Sequence, residues 1–409
     1  MKFTAPSLTP LILSGSLLLS VFSGASVLHP SSAFADDLGC EKVLTRDAAR
    51  ELAGVREDFR HTTNYTVEVS TTAIRNQKDY GGCWIYGTLA DIEAELRQAT
   101  GEKVDLSEQY VIMTSIVSRA MAALRRPGGQ ISQGGDVLLA QKLIRKFGLV
   151  PAHAWQPVIP FEEGPHSERM MYFLNSRIAE FHLGLGSYKT AAEAEKGAKI
   201  AEKDIFKIIS TYFGVEPPSE FTYRGAKYTP QSFAQKFYAG KDVQLVSIFP
   251  RSPAIEGPLR KMVDQMKPLS PARKAAYQDV LDSRIVKSLR DIEDFIVGQL
   301  KKGHVVPIGV EIADAFIDNR SGIMSIGAFH TPEGFKIPPR EYRDNFGLAG
   351  GGHMILIVGA DVDAAGKVIK FKIKNSWGKG AGDEGYYHMY ADYFEQFLQV
   401  TYAELVIKP

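Results

Sequence analysis

The hydrophobic spacing of this 409-residue chain changes once, and the change limits the folds open to it. Before about residue 300, apolar residues recur at helical intervals; after Lys302-Gly303 they form short runs typical of strands. Ile85, Leu89, Ile92 and Leu96 share one face of a helix, and Gly101 is a stop signal. Ser107 reads as the N-cap of a second helix that carries Glu108 in its first turn and runs through Leu124. Pro127-Gly128-Gly129 breaks the pattern. A third helix follows Gly134-Gly135, with Leu139, Leu143, Ile144 and Phe147 on one face and Gly148 and Pro151 at its close. From Phe161 to Val297 the chain reads as mostly helical, with Ala191 to Ile209 facing the surface and Pro217-Pro218 and Thr229-Pro230 as punctuation. Strands are expected at Val305–Ile312, His353–Val358, Val368–Ile373 and Gly385–Met389, with a turn at Asp361–Gly366. Helices followed by strands imply an α+β protein. It has two lobes: a helical lobe, and a twisted antiparallel sheet or open barrel.

The expected divisions are a leader at 1–35, an N-terminal extension at 36–72, a helical lobe at 73–160, a mainly helical insertion at 161–300 and a β lobe at 301–409. Lys2, the apolar stretch Leu11 to Phe22 and Ala33-Phe34-Ala35 have the form of a secretory signal cleaved after Ala35. That predicts a secreted or periplasmic protein. No later stretch is long and apolar enough to span a bilayer. The extension reads as a helical patch at Ala48–Phe59 and a β-rich stretch at Tyr65–Val69. The formal net charge of +1 suggests neither nucleic acid nor a membrane surface as partner. Cys40 and Cys83 are the two cysteines, and pairing them would consume the second, so no disulfide is expected and Cys40 reads as a spare thiol.

Cys83 lies in Asn76-Gln77-Lys78-Asp79-Tyr80-Gly81-Gly82-Cys83-Trp84, at the start of the first helix. Backbone N–H groups and the macrodipole there favour a thiolate, and Gly81 and Gly82 leave room for a carbonyl. A lone helical cysteine is usually inert; the flanking Gln77, glycines and Trp84 favour a nucleophile. With Cys83 as nucleophile, the Gln77 side chain joins its backbone N–H as an oxyanion donor. His353 follows three glycines and starts an apolar strand, a setting for a base facing a cleft; His304, also ahead of a strand, is the competitor. Asn375, in Asn375-Ser376-Trp377-Gly378, reads as either a turn or the acceptor that orients His353, with Trp377 covering that bond.

Together these residues resemble the papain-like cysteine peptidases. Tyr80 and Gly82 replace a Cys and a Ser/Ala of the papain signature. The missing Cys serves a structural disulfide in papain. The nearer resemblance is to the bleomycin hydrolase/aminopeptidase C branch. It rests on Asn76-Gln77-Lys78 with Cys83-Trp84, on Gly134-Gly135-Asp136 leading to Lys146-Phe147-Gly148-Leu149-Val150-Pro151, on Gly214 through Phe221, and on Thr229-Pro230-Gln231-Ser232-Phe233. The resemblance implies the two-lobed papain fold with a cleft between the lobes, a peptide or protein substrate, and no cofactor or metal. It implies that Gly134 and Gly135 pair with the substrate backbone, and it makes a homo-oligomer an expectation. In that branch a C-terminal arm blocks one side of the cleft and makes the enzyme an exopeptidase. Here only Lys408 and Pro409 follow the strand-like Thr401–Ile407, so the expectation is an endopeptidase, unless residues 36–72 fill the cleft. The alternatives are an aminopeptidase of bleomycin hydrolase type, a peptidyl or acyl transferase, and a non-catalytic binding protein of papain fold.

Overall fold

Helix α1 (Cys83–Thr100) starts after Gly82, which supplies no side-chain cap, and ends at Gly101 with φ of 70°. Its first amides therefore carry no capping side chain and face whatever lies ahead of Cys83. Helix α2 (Glu108–Leu124) is capped by Ser107 through the Tyr110 N–H at 3.2 Å. Helix α3 (Val137–Phe147) is capped by Asp136 through the Leu139 N–H at 2.8 Å. Its end at Gly148 requires glycine: φ is 87°, and a Cβ there would lie 2.1 Å from the Pro230 carbonyl carbon. Helices α4 (Gly164–Gly184), α5 (Ala191–Phe213) and α6 (Pro230–Tyr238) pack on these three. Trp84, Ile112, Leu143, Ile144, Leu174, Ile205, Phe213 and Phe233 form their common core. Each such side chain contributes about 1.5–3 kcal/mol by leaving water.

The structure is a computed structural model that describes residues 54–126, 130–160, 164–238, 242–248 and 288–405. The described residues form one compact unit. The leader at 1–35, Cys40, the first half of the Ala48–Phe59 patch, Pro127-Gly128-Gly129, Phe161 and residues 406–409 lie outside the described residues. Among the described residues no helix is long and apolar enough to cross a membrane.

The sheet draws strands from across the chain. They are β1 (Val67–Glu68), β4 (Asp242–Ile248), β5 (Val306–Glu311), β6 (Ile317–Asp318), β7 (Ile323–Met324), β8 (Gly352–Val362), β9 (Val368–Lys374), β10 (Tyr386–Tyr390) and β11 (Leu398–Leu405). The separate hairpin β2 (Phe221–Tyr223) and β3 (Ala226–Tyr228) belongs to the helical side. The order is β4-β11-β5-β8-β9-β10-β7-β6, with β1 on β8. Helix α7 (Leu289–Lys301) and helix α9 (Ala391–Phe397) supply Ile292, Ile296, Tyr393, Phe394 and Phe397 to the sheet core. A short helix, α8 (Arg340–Asn345), lies between β7 and β8.

Strand β8 is buried on both sides, which accounts for its unbroken apolar run. Ile355 and Ile357 enter the sheet core, Met354 joins the helical core, and Leu356 and Val358 pack with Ala94 of α1. The strand that carries His353 near its start thus lies against the helix that begins at Cys83.

Four expectations need correction. The β7–β10 pair is parallel, so the sheet is not wholly antiparallel. The 161–300 segment adds β4 to the sheet through β11, a pairing its composition does not announce. The described end of the Ala48–Phe59 patch is not helical: the Arg56 N–H donates to the Ala328 carbonyl at 2.9 Å, and Val55 bridges Phe329. Helix α5 buries a face of Ala198, Ala201, Ile205, Ile209 and Phe213, while its Glu and Lys residues create the outward bias.

Candidate active site

Cys83 is the first residue of α1 and is only partly buried. Burial pushes its thiol up, and the backbone amides of Met354, Trp84 and Cys83 itself act in the opposite direction. Desolvation therefore outweighs the helix terminus, the reverse of the thiolate preference expected from sequence. The Met354 amide also locates the site, because Met354 adjoins His353. A Cβ on Gly87, one turn along α1, would lie 3.0 Å from the Met354 side chain.

His353 is 7% exposed and donates from Nε2 to the Asn375 Oδ1 at 2.8 Å. Its Nδ1 has no hydrogen-bond partner among the described residues. Burial lowers the imidazole to about 4, against the raising effect of Asn375. Trp377 stacks on the ring at 4.8 Å between centroids and 29° between planes. The indole thus packs on the imidazole that bonds Asn375. His304, the competing base, is bound to Glu95 at 2.8 Å. Glu95 lies twelve residues beyond Cys83 on α1, roughly 18 Å along the axis.

Gln77 comes to the same place by strand-like pairing of residues 75–77 with 376–378. Its N–H donates to the Ser376 carbonyl at 2.7 Å, and the Gly378 N–H donates to the Arg75 carbonyl at 2.9 Å. The Gln77 Nε2 donates to the Tyr80 carbonyl at 2.8 Å, and Oε1 accepts from the Ser376 hydroxyl at 2.5 Å. One of the two amide hydrogens therefore remains for another acceptor. Gln77→Ala is expected to lower kcat by roughly 10²-fold, the scale for one oxyanion donor. Steady-state kinetics check this, and an unchanged kcat removes Gln77 from the site.

Gly135 sits on the Trp84 indole, where a Cβ would approach the ring to 2.7 Å. Gly134 accepts a hydrogen bond from the Arg119 guanidinium, which also donates to the Ser132 hydroxyl at 2.5 Å. Gln133 ties this glycine loop to the loop that leads into Cys83. Its Oε1 accepts from the Gly81 N–H at 2.7 Å, and its carbonyl accepts from the Trp84 Nε1 at 2.9 Å. The structure thus brings Gln77, Cys83, Gly134, Gly135, His353, Asn375 and Trp377 into one neighbourhood.

Sequence reasoning passed over Ser376, Gln133 and Arg119. Ser376 had a signal in its place between Asn375 and Trp377, and Gln133 in preceding the glycine pair. Arg119 had none, since an arginine within a helix looks like a solvated charge.

The buried histidines give the fold an acid-labile character. His388 is 1% exposed, and burial, then the nearby His61, lowers it to about 4. Both His353 and His388 start from 6.5 and fall to about 4 in the fold. Between those values the unfolded chain binds more protons, so stability is lost as the pH is lowered through that window and is retained above it. Urea midpoints measured from pH 7.5 to 4.5 are expected to decline below about 6.5. A flat series contradicts the burial of neutral imidazoles.

A family model described as the Peptidase C1-like family matches residues 113–407, and one described as the Papain family cysteine protease matches residues 58–143. The chain is 26% identical to an aminopeptidase W of Lactobacillus delbrueckii over 85% of its own length and 84% of that protein's. It is 24% identical to the mitochondrial cysteine proteinase 1 of Saccharomyces cerevisiae, over 86% and 78% of the two chains. A crystal structure of PepW from Lactobacillus rhamnosis superposes with a TM-score of 0.70 at 19% identity, covering 93% and 94% of the two chains.

Proposed function

The chain belongs to the Peptidase C1-like family and is a cysteine-type peptidase, and from that premise we propose that it is an aminopeptidase acting through Cys83, His353, Asn375 and Gln77. The carrying observation is that relatives named aminopeptidases W, C and E match 82–87% of the chain. The endopeptidase expectation rested on the two residues that follow the strand-like Thr401–Ile407, and it gives way to this similarity.

Cys83 Sγ attacks the peptide carbonyl carbon as its proton passes to His353. Burial disfavours each charge alone, but proton transfer leaves opposite charges side by side, and their attraction offsets both penalties. The carbonyl oxygen turns towards the spare Gln77 amide hydrogen and the Cys83 N–H. The C–N bond breaks as His353 returns the proton to the leaving amine, leaving a thioester. Water, deprotonated by His353, then releases the acid. Asn375 fixes the ring through Nε2, which leaves Nδ1 for the thiol and the leaving group.

The discriminating experiment compares an aminoacyl amide bearing a free α-amine with its N-acetylated form. The free-amine substrate is expected to be preferred by roughly 10- to 100-fold in kcat/KM, the worth of one hydrogen bond to a charged group. Equal turnover returns the reading to an endopeptidase. Export of the protein, with cleavage after Ala35, remains part of the proposal; sequencing the mature N-terminus tests it.

A further inference from the structure

Three consecutive glycines, Gly350, Gly351 and Gly352, lead into His353. Such a run has no side chains to pack and is the softest backbone the chain can build. A general base that must hold one ring nitrogen towards a thiol needs its strand start fixed from outside. The restraint comes from β5, where Glu311 faces Gly352 and Val310 faces His353 across the antiparallel register.

Glu311 is 1% exposed, and its carboxylate is met by four donors. Oε1 accepts from the Gly350 N–H at 3.1 Å and from the Arg343 Nε at 3.2 Å. Oε2 accepts from the Arg343 Nη2 at 2.6 Å and the Arg340 Nη1 at 2.8 Å. The Ile312 N–H adds a bond to the Gly351 carbonyl at 3.0 Å. A Cβ on Gly350 would lie 1.6 Å from the Ile312 carbonyl oxygen, so the backbones meet more closely than any other residue allows. Asp344 pairs with Arg340 at 2.9 Å, so two carboxylates balance two guanidiniums. Burying this group in β5 is unfavourable unless every lone pair is used, and here the donor set ends on the backbone leading to the base.

We propose that Glu311 is a positioning residue for His353: it clamps the glycine run and so holds the imidazole in register with Cys83. The proposal rests on the peptidase reading above, and one of its readouts does not depend on turnover.

The experiment uses the full-length protein and Glu311→Gln, with Cys83→Ala and His353→Ala as references. The readouts are kcat, KM and the pH dependence of Cys83 alkylation by iodoacetamide. A loosened base is expected to lower kcat by roughly 10- to 100-fold, the scale of a misplaced catalytic group, with KM within about twofold. The alkylation profile is expected to move towards that of His353→Ala. If Glu311→Gln does not fold, the double variant Glu311→Leu/Arg343→Leu removes the charge pair together with the clamp and is read the same way. A folded variant with wild-type kcat and alkylation profile overturns the proposal, even if its melting temperature falls. If the wild type shows no Cys83-dependent turnover, the peptidase reading fails, and the alkylation profile still decides whether Glu311 holds His353.

Discussion

Cys83→Ala is expected to lower kcat by at least about 10³-fold while the protein stays folded. Alanine is the strongest helix former, and residue 83 is a first helical position that needs no cap from its side chain. The sulfur's recorded partners are backbone amides, so its loss leaves no buried side chain unpaired. Stability is expected to change by no more than about 1 kcal/mol. Circular dichroism and thermal unfolding check the fold, and single-turnover kinetics check the chemistry. Undiminished turnover in a folded Cys83→Ala protein places the nucleophile elsewhere. Among the described residues Cys83 is the free thiol, so that outcome would overturn the covalent mechanism.

His353→Ala is expected to have a nearly equal effect, with a loss of about 10³-fold or more in kcat. The reason lies in burial. With the thiol already pushed up by desolvation, removing its proton acceptor leaves the neutral, unreactive form dominant at neutral pH. The alkylation rate of Cys83 should then rise only at a more alkaline pH than in the wild type. Asn375→Ala is expected to be milder, because Asn375 orients the ring and transfers no proton. If Asn375→Ala proves as severe as Cys83→Ala in folded protein, the orienting role is wrong. Loss of the Trp377 stack makes a melting-temperature comparison necessary for His353→Ala. Partial rescue by added imidazole would separate missing chemistry from altered structure.

The helices around Cys83 were readable because their caps and stops are local: Ser107, Gly101 and Gly148 act within a few residues. The strands at 306–311, 352–362, 368–374 and 386–390 announced themselves as apolar runs. The position of β4 did not, since only its partner β11, distant in sequence, makes it a strand of the main sheet. The site followed the same division. Cys83, His353 and Asn375 were singled out from their neighbours in the chain, and the fold joins the last two by a hydrogen bond. Ser376, Gln133, Arg119 and Glu311 act across space, on partners no spacing rule connects to them. The direction of the Cys83 shift was missed for a related reason: the helix terminus is written in the sequence, whereas burial depends on β8 arriving from far downstream.

That arrival has a consequence for synthesis. Gln77 and Ser376, which are hydrogen-bonded in the site, lie 299 residues apart in the chain. At a translation rate of about 5–20 residues per second, the ribosome spends roughly 15–60 s between making the first and making the second. Through most of that interval the nascent chain carries Cys83 without His353, the base of the proposed mechanism, and without Asn375 and the loop that seats Gln77. The order of residues in the polypeptide thus acts as a timer: in the proposed mechanism catalytic competence waits for the last strands, and a chain terminated before His353 bears the thiol without its base.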